Sequence, residues 1–301
     1  MDELKVGGRT KELFDVLGDE LALLVDLHST HKALLGHAKA EDLRIHMMFP
    51  LLGAIISSSN CLANLLVSNF LNESYMSMRA LFERCLNYCY LTCSTKEDFD
   101  NYFHHSLQKN LRGLRKELVV ADFGFNLEMK GHEEIWDRPK VKKVMDDFSR
   151  KVSRKEVQNW SKMTKNRYER LEWVAKNING ILWEPYVLIE VMIFEEASEA
   201  LHGTFFGTIF DTGYLEPRIQ RAGKWVEVDH RTPQVELLVG YAVMLHNSIV
   251  QAAAHKYPND SAVSRSKQNV LKAKDVLKET SKSVSIKEAD DAVGILMPKE
   301  D

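Results

Sequence analysis

Residues that bend, break or cross-link a chain are scarce in this sequence. Among its 301 residues there are 15 glycines, seven prolines and four cysteines. Cys85, Cys89 and Cys93 follow one face of a predicted helix, where neighbouring thiols are too far apart for good disulfide geometry and do not match a zinc motif. We therefore expect buried, reduced thiols, as in a cytoplasmic protein, and no metal ion.

The sequence also lacks an uninterrupted apolar run of the roughly 20 residues that a membrane-spanning helix requires. Its most apolar stretch, residues 47–71, is interrupted by polar residues that include Ser57, Asn64 and Asn69. The first residues are charged and carry no signal-peptide core. These features predict a buried helix at 47–71, no membrane association and a cytoplasmic location.

No charge of one sign dominates, because 40 basic and 43 acidic residues give a net charge of −3. A surface that binds nucleic acid would therefore have to be local. The phosphate-binding loop, the glycine-rich dinucleotide fingerprint, the serine-hydrolase elbow and the zinc-protease helix motif are all missing. Their absence argues against ATP hydrolysis, nicotinamide chemistry and zinc proteolysis, and we expect no cofactor.

What the sequence does contain is a series of long segments with the 3.6-residue periodicity of helices. They predict an all-α fold, a multi-helix bundle with long buried helices and one short β-hairpin near residues 218–228. We expect residues 1–257 to form a single helical domain. Residues 258–301 are expected to form a polar helix followed by a flexible C-terminal tail.

Two predicted apolar helices carry polar residues that are out of place in a core. One places Arg79 four residues before Glu83, so both lie on the same face. The other aligns Glu195, Ser198 and His202 along one stripe. If these helices face each other, the five side chains meet in one buried cluster. Such a cluster is either a structural network whose members satisfy one another or a site with a chemical function.

A basic segment, residues 138–170, contains 12 lysines or arginines against four acidic residues. Aromatic side chains interleaved with such charges are typical of single-stranded RNA binding. The alternative is a solvated helix face whose tryptophans belong to the core. The residues expected to bind RNA are Lys142, Lys143, Arg150, Lys151, Arg154, Lys155, Trp160, Lys165 and Arg167.

Three stretches, MRALFERCLNYCYL, NWSKMTKNRYERL and FEEASEALHGT, resemble the bacterial domain-of-unknown-function family 5677, over about residues 72–207. That family favours a tyrosine four residues before the serine of its Ser-x3-His-Gly motif. This chain has Phe194 there, so a role for a tyrosine hydroxyl is not carried over. The helical layout of the family is similar to that of HEPN domains, many of which are metal-independent ribonucleases in toxin and phage-defence systems.

The resemblance implies a role for each candidate site residue. His202 would act as general acid and base, and Arg79 would hold the phosphate. Glu83 would orient the arginine, and Ser198 would position the imidazole or the substrate, with Glu195 beside them. HEPN ribonucleases carry Arg-x4–6-His on one helix, and no arginine in this sequence has a histidine at that spacing. The catalytic pair must therefore be split between two helices.

A second hypothesis, from a different class, is a non-catalytic interaction protein. In that case the Arg–Glu–Ser–His network is structural, and the apolar helices form the face of a homodimer. The exposure of His202 discriminates between the two hypotheses. A histidine sealed in the core is structural, whereas one at the base of a cleft belongs to a site. The sequence leaves both hypotheses open.

Overall fold

The structure, a computed structural model, describes residues 8–37, 43–114, 118–122, 125–129, 139, 142–143, 146, 165–181, 184–194, 197, 218–221, 224–227 and 231–283. Within these residues it has eight helices, so the all-α class expected from the sequence is confirmed. The helices are α1 (Gly8–His37), α2 (Leu43–Val67), α3 (Leu71–Cys93), α4 (Lys96–Leu114), α5 (Arg167–Asn177), α6 (Glu184–Met192), α7 (Arg231–Lys256) and α8 (Asp260–Ser283).

In the described part of the chain, two short antiparallel hairpins accompany the helices. Strand β1 (Leu118–Asp122) pairs with β2 (Phe125–Met129), and β3 (Arg218–Arg221) pairs with β4 (Lys224–Glu227). The β3–β4 hairpin lies where the sequence predicts one, near residues 218–228. The β1–β2 hairpin falls partly in a stretch that the sequence predicts to be a connection. The glycines there indicate a loop more strongly than the two short strands indicate a sheet.

Capping side chains set where several helices begin. The Thr95 hydroxyl accepts a hydrogen bond of 3.1 Å from the amide of Asp98 at the start of α4. Asn166 and Glu169 form a reciprocal capping box at α5, in which each backbone amide donates to the other side chain, at 2.7 and 3.0 Å. Asn259 caps α8 through its side-chain oxygen. Each such cap contributes about 1 kcal/mol.

The chain divides into two compact units, one made of Met1–Thr92 and Val174–Asp301 and the other of Cys93–Trp173. In the first unit α7 is the central helix and packs against α1, α2, α6 and α8. Every residue from 238 to 253 of α7 is buried. Because this stretch, LVGYAVMLHNSIVQAA, is apolar on nearly every side, it requires neighbours all round.

Helix α8 packs against α1 and α7 and belongs to the first unit. Val270, Ala273 and Val276 form its buried side. Leu277 approaches α7 so closely that a Cβ at Gly240 would lie 2.6 Å from its Cδ1. Helix α8, the polar helix expected after residue 257, thus lies in the same compact unit as α7 and covers one of its sides. Residues 284–301, expected to form a flexible tail, lie outside the described residues.

Helices α2 and α7 are both long and apolar enough to cross a membrane, by length and composition. In α7, 89% of the most apolar window is buried inside the protein, as in a core helix, whereas the buried share in α2 is 33%. The expectation of a buried helix at residues 47–71 thus holds for one side, which includes Leu52, Ile55, Leu62 and Leu66. Periodicity showed that α2 is apolar but not how many neighbours cover it.

A buried carboxyl group links α1 to α8. Glu20 is fully buried and accepts hydrogen bonds from Asn269 Nδ2 and Ser266 Oγ, both at 3.1 Å. Ser266 in turn accepts from Asn247 Nδ2 of α7 at 2.8 Å, so three helices share one network. Burial raises the pKa of Glu20 from 4.5 to about 7, although the two hydrogen bonds and the charge of Arg265 lower it.

The Glu20 carboxyl group predicts a stability that depends on pH. Its pKa is higher in the folded than in the unfolded chain, so between 4.5 and about 7 the folded state holds a proton that the unfolded state has lost. The stability due to this group therefore falls as the pH rises through that window, by about 3 kcal/mol in total. Glu20→Gln, which cannot ionise, should remove the fall.

The measurement is the free energy of unfolding in urea at about pH 5 and about pH 8. Between these two conditions Glu20→Gln should gain about 3 kcal/mol relative to wild type. Asp15→Asn, at an exposed position of the same helix, is the matched control and should follow wild type. If Glu20→Gln differs from wild type by the same amount at both pH values, the assignment is wrong.

Candidate functional site

Arg79 of α3 stacks on Phe194, four residues before Ser198. The guanidinium carbon lies 3.8 Å from the ring centroid, within the range of a cation–π contact. Phe82 of α3 also meets Phe194, edge to face, with 6.2 Å between the ring centroids. Helix α3 therefore faces the segment that leads to Ser198, which is the arrangement that the predicted polar cluster requires.

The hydrogen-bonding capacity of Arg79 is not used up by Glu83. The closest approach of the two side chains is 3.9 Å, between Nε and Oε1, which is beyond hydrogen-bond distance. Nη1 of Arg79 is buried and has no hydrogen-bond partner among the described residues. A buried donor without a partner costs about 1–3 kcal/mol or more. A phosphate oxygen that reached Nη1 would satisfy it, and because this atom is closed to solvent while the side chain as a whole is 26% exposed, its approach requires a local opening.

Glu83 does not lie in a buried cluster. Its side chain is 51% exposed, against 26% for Arg79. Helix α3 is not buried all round along its length, because residues 79, 83 and 87 form a stripe that is at least partly exposed. An exposed ion pair contributes about 0–1 kcal/mol. Glu83 therefore forms only a weak ion pair with Arg79, and the role of orienting the arginine stays a prediction.

Glu195, Ser198 and His202, the other members of the predicted cluster, lie outside the described residues. Ile193 and Ala197, which precede Ser198 in the chain, are described and buried. In the described part, Arg79 contacts Phe194, which directly precedes Glu195. A meeting of Arg79 with His202 therefore stays a prediction.

Of the nine residues expected to bind RNA, four are described. Lys142 and Lys143 are exposed, and Lys165 and Arg167 are partly buried. The described part thus places two exposed lysines in the basic segment, without extending to a continuous basic surface. The five residues that lie outside the described part are Arg150, Lys151, Arg154, Lys155 and Trp160.

Lys165 is engaged within its own unit. Its ammonium nitrogen lies 4.0 Å from the Asp98 carboxylate and 4.7 Å from the ring centroid of Trp173. The indole N–H of Trp173 donates to the backbone oxygen of Cys93 at 3.1 Å. These contacts favour a packing role for Trp173, which is the alternative interpretation of the tryptophans beside the basic segment.

A serine–histidine pair that no sequence motif marks lies in the core. Ser59 Oγ of α2 is 2.7 Å from Nε2 of His246 of α7, and both side chains are fully buried. Because Ser59 donates its proton to the Ile55 oxygen at 2.9 Å, Nε2 of His246 is the donor to Ser59. Burial lowers the pKa of His246 from 6.5 to about 3. A neutral, sealed imidazole cannot exchange protons with a substrate, so the pair holds the register of α2 on α7.

His31 of α1 is bonded at both ring nitrogens. Nδ1 donates to the Leu27 oxygen at 2.9 Å, and Nε2 accepts from the Tyr88 hydroxyl of α3 at 2.9 Å. Burial lowers the pKa of His31, while the bond to Leu27 raises it and the charge of His28 lowers it further. The pair joins α1 to α3 and contributes to the wall of a small pocket. No spacing motif marks it, since its members come from different helices.

All four cysteines are free. Cys85 and Cys89 are buried, as expected, and burial raises the pKa of the Cys85 thiol. Cys93 is partly exposed, so the expectation of a buried thiol is wrong there, and Cys61, for which the sequence made no such prediction, is exposed; both lie where α2 and α3 are not fully covered. The described residues contain no group of three or more His, Cys, Asp or Glu side chains that would hold a metal ion.

Comparison with known proteins adds no relative to this picture. A scan against protein-family models, a search of curated proteins and a search of solved structures each found no match. The resemblance to family 5677 therefore rests on the three sequence stretches, and a function has to be inferred from the residues and their geometry.

The buried His246 predicts a loss of stability in acid. Its pKa is lowered in the folded chain, so between pH 6.5 and about pH 3 the unfolded state binds a proton that the folded state does not bind. The stabilisation due to His246 is therefore present above pH 6.5 and is lost as the pH falls. The loss amounts to roughly 3 kcal/mol at about pH 4. His246→Leu removes the titrating group while Ser59 keeps its bond to Ile55.

Unfolding free energies in urea at about pH 7 and about pH 4 check this expectation. His246→Leu should lose roughly 3 kcal/mol less than wild type on acidification. His255→Leu changes an exposed histidine of the same helix and is the control, expected to lose as much as wild type. An acid dependence in His246→Leu equal to that of wild type would contradict the assignment.

Proposed function

We propose that this chain binds RNA and cleaves it without a metal ion, with Arg79 holding the phosphate at the cleavage point. The orientation of Arg79 and its unpartnered Nη1 support this function. Stacking on Phe194 orients the guanidinium, and its buried Nη1 has no partner among the described residues. A planar guanidinium that is already oriented and still has a donor to offer is well prepared for a phosphate oxygen.

In the proposed reaction His202 takes the proton of a ribose 2′-hydroxyl, and the 2′-oxygen attacks the adjacent phosphorus. The bond from phosphorus to the 5′-oxygen breaks, and the imidazolium returns the proton to that oxygen. The products are a 2′,3′-cyclic phosphate and a 5′-hydroxyl end. Arg79 stabilises the charge that develops on the phosphate oxygens, and Ser198 and Glu195 position the imidazole or the RNA.

The basic segment belongs to the same proposal. Lys142 and Lys143 are exposed and supply charge for the RNA backbone, an interaction that does not depend on base sequence. The resemblance to HEPN domains extends the proposal to a cytoplasmic effector of a bacterial toxin or phage-defence system.

The test is incubation of the purified protein with a defined RNA oligonucleotide in EDTA, which removes divalent metal ions. Wild type should cleave the RNA. His202→Ala should lower the rate by about 100-fold or more, as the loss of a general acid–base group does. Arg79→Ala should lower it by about 100-fold or more, as the loss of a preorganised donor to a developing charge does.

His255→Ala and Arg265→Ala are the matched controls, because both side chains are exposed on other helices, and both variants should cleave at the wild-type rate. Thermal melting of each variant separates a chemical effect from a folding effect, since a catalytic role requires loss of activity at an unchanged melting temperature. If wild type leaves RNA intact in EDTA, or if His202→Ala cleaves as fast as wild type, the proposal is wrong.

A second candidate function is a non-catalytic interaction protein that forms a homodimer. Its supporting observation is an apolar surface on α6, where Val187, Leu188 and Val191 are 37%, 42% and 70% exposed. Three large apolar side chains on one helix of nine residues exceed the scattered single exposures that are normal on a monomer. A second copy of the chain would bury this surface. The polar groups of the core would then fix the positions of the helices relative to one another.

The oligomeric state tests the second candidate, measured by size-exclusion chromatography with light scattering. Wild type should have the mass of a dimer, and Val191→Glu should have that of a monomer, because a buried unpaired carboxylate at the interface is unfavourable. Leu271→Glu, at a 62% exposed leucine of α8, should remain dimeric. A monomeric wild type, or a Val191→Glu variant that still forms dimers, would exclude this interface.

A further inference from the structure

A small pocket lies in the first unit, where the last turns of α3 and α7 meet α1 and the first turn of α2. It is lined by two apolar side chains and by the polar residues His31, Arg44, Tyr88, Thr92, Lys256 and Tyr257. Among the described residues that line it there is no carboxylate. The pocket contains neither Arg79 nor Phe194, so it is a different place from the site proposed above.

The charge in this pocket is positive. Arg44 and Lys256 each carry a full positive charge, while the C-terminal ends of α3 and α7 each contribute about half a negative charge. The sum is therefore about one positive charge, so the helix ends do not cancel the two cations. Arg44 is held in place at the same time, because its Nη1 donates to the Leu91 oxygen at 2.7 Å.

Lys256 differs from Arg44 because it is not held. Its side chain is exposed, and it has no hydrogen bond or ion pair among the described residues. An ammonium group has three donors on a flexible stem, so Lys256 can move toward a ligand in the pocket at little cost. A fixed guanidinium on one side and a mobile ammonium on the other suit an anion that accepts bonds from several directions.

The wall of the pocket is already ordered, because its hydroxyl and imidazole groups are hydrogen-bonded within the protein. The Tyr88 hydroxyl is bonded to His31 at 2.9 Å, and the ring of His31 packs edge-on against Tyr257 with 5.8 Å between centroids. Thr92 lines the same space, and its hydroxyl donates to the Tyr88 backbone oxygen at 2.8 Å. Because these groups are already ordered, a ligand does not have to order them on binding.

We propose that this pocket binds the phosphate group of a small phosphorylated ligand, held between Arg44 and Lys256. A phosphate monoester carries about −1.5 to −2 charges at neutral pH and three terminal oxygens, which matches two cations that approach from different helices. A carboxylate has one charge and two oxygens in a plane, so it reaches fewer of these donors. The space is small and partly open, so the phosphate group would lie at its mouth, with the rest of the ligand outside.

This binding goes beyond the proposed ribonuclease and shares no residue with it. Isothermal titration with inorganic phosphate at constant ionic strength is the test, because it needs no RNA and therefore fails or succeeds independently of cleavage. Wild type should bind phosphate with measurable heat. Lys256→Met should weaken binding by about tenfold or more, since a hydrogen bond to a charged group is lost.

Lys272→Met, at an exposed lysine of α8, is the matched control and should bind phosphate as wild type does. Arg44→Met should also weaken binding, but it removes the bond to Leu91 as well, so Lys256→Met is the deciding variant. Adenosine monophosphate in place of phosphate identifies the source of the group: tighter binding than phosphate indicates a nucleotide, and equal binding indicates recognition of phosphate alone.

Two results of the phosphate titration would overturn the proposal. One is an absence of phosphate binding to wild type, and the other is phosphate binding to Lys256→Met that equals binding to wild type. Acetate at the same ionic strength gives a third comparison. If acetate binds as well as phosphate, the pocket does not select the phosphate group and the assignment is wrong; weaker binding of acetate supports it.

Discussion

Complete burial of the central helix α7 is the constraint on which the rest of the structure depends. Residues 238–253 have no exposed side, so α1, α2, α6 and α8 have to surround them. Burying each large aliphatic side chain contributes about 1.5–3 kcal/mol. The same burial makes hydrogen bonds between polar groups necessary: Nε2 of His246 bonds to Ser59 and Asn247 bonds to Ser266, while Nδ1 of His246 has no partner among the described residues. A shift of α7 by one turn would separate both pairs, so together they define its register.

Burial also separates the polar groups that stabilise the fold from those that can act on a ligand. Glu20 and His246 are fully buried and bonded, and burial moves the pKa of each toward its neutral form. Their titration is therefore a matter of stability. Arg79 and Lys256 are cations that keep a donor without a partner among the described residues. Groups of that kind gain most from an incoming anion, which is why both proposals rest on them.

Periodicity predicted the helical class and the hairpin near residues 218–228, because both signals are local. The sequence left open whether α3 faces the segment before Ser198, and the contact of Arg79 with Phe194 shows that it does. Periodicity overestimated the burial of α2 and α3, since an apolar helix is recognisable from its residues but the helices that cover it are not. Glu83 is an example: it follows a buried phenylalanine directly, yet its side chain is half exposed.

By itself, the sequence determined the all-α class, the nearly balanced charge and the lack of nucleotide-binding and zinc-protease motifs. Only the tertiary structure decided which polar side chains are sealed and which keep a donor to offer. Backbone conformation follows from the spacing of neighbouring residues, whereas burial and pKa depend on side chains contributed by other helices. Ser59 and His246 are 187 residues apart in the chain, and the pocket lined by Arg44 and Lys256 is formed by four helices. No local sequence pattern could therefore predict the pair or the pocket.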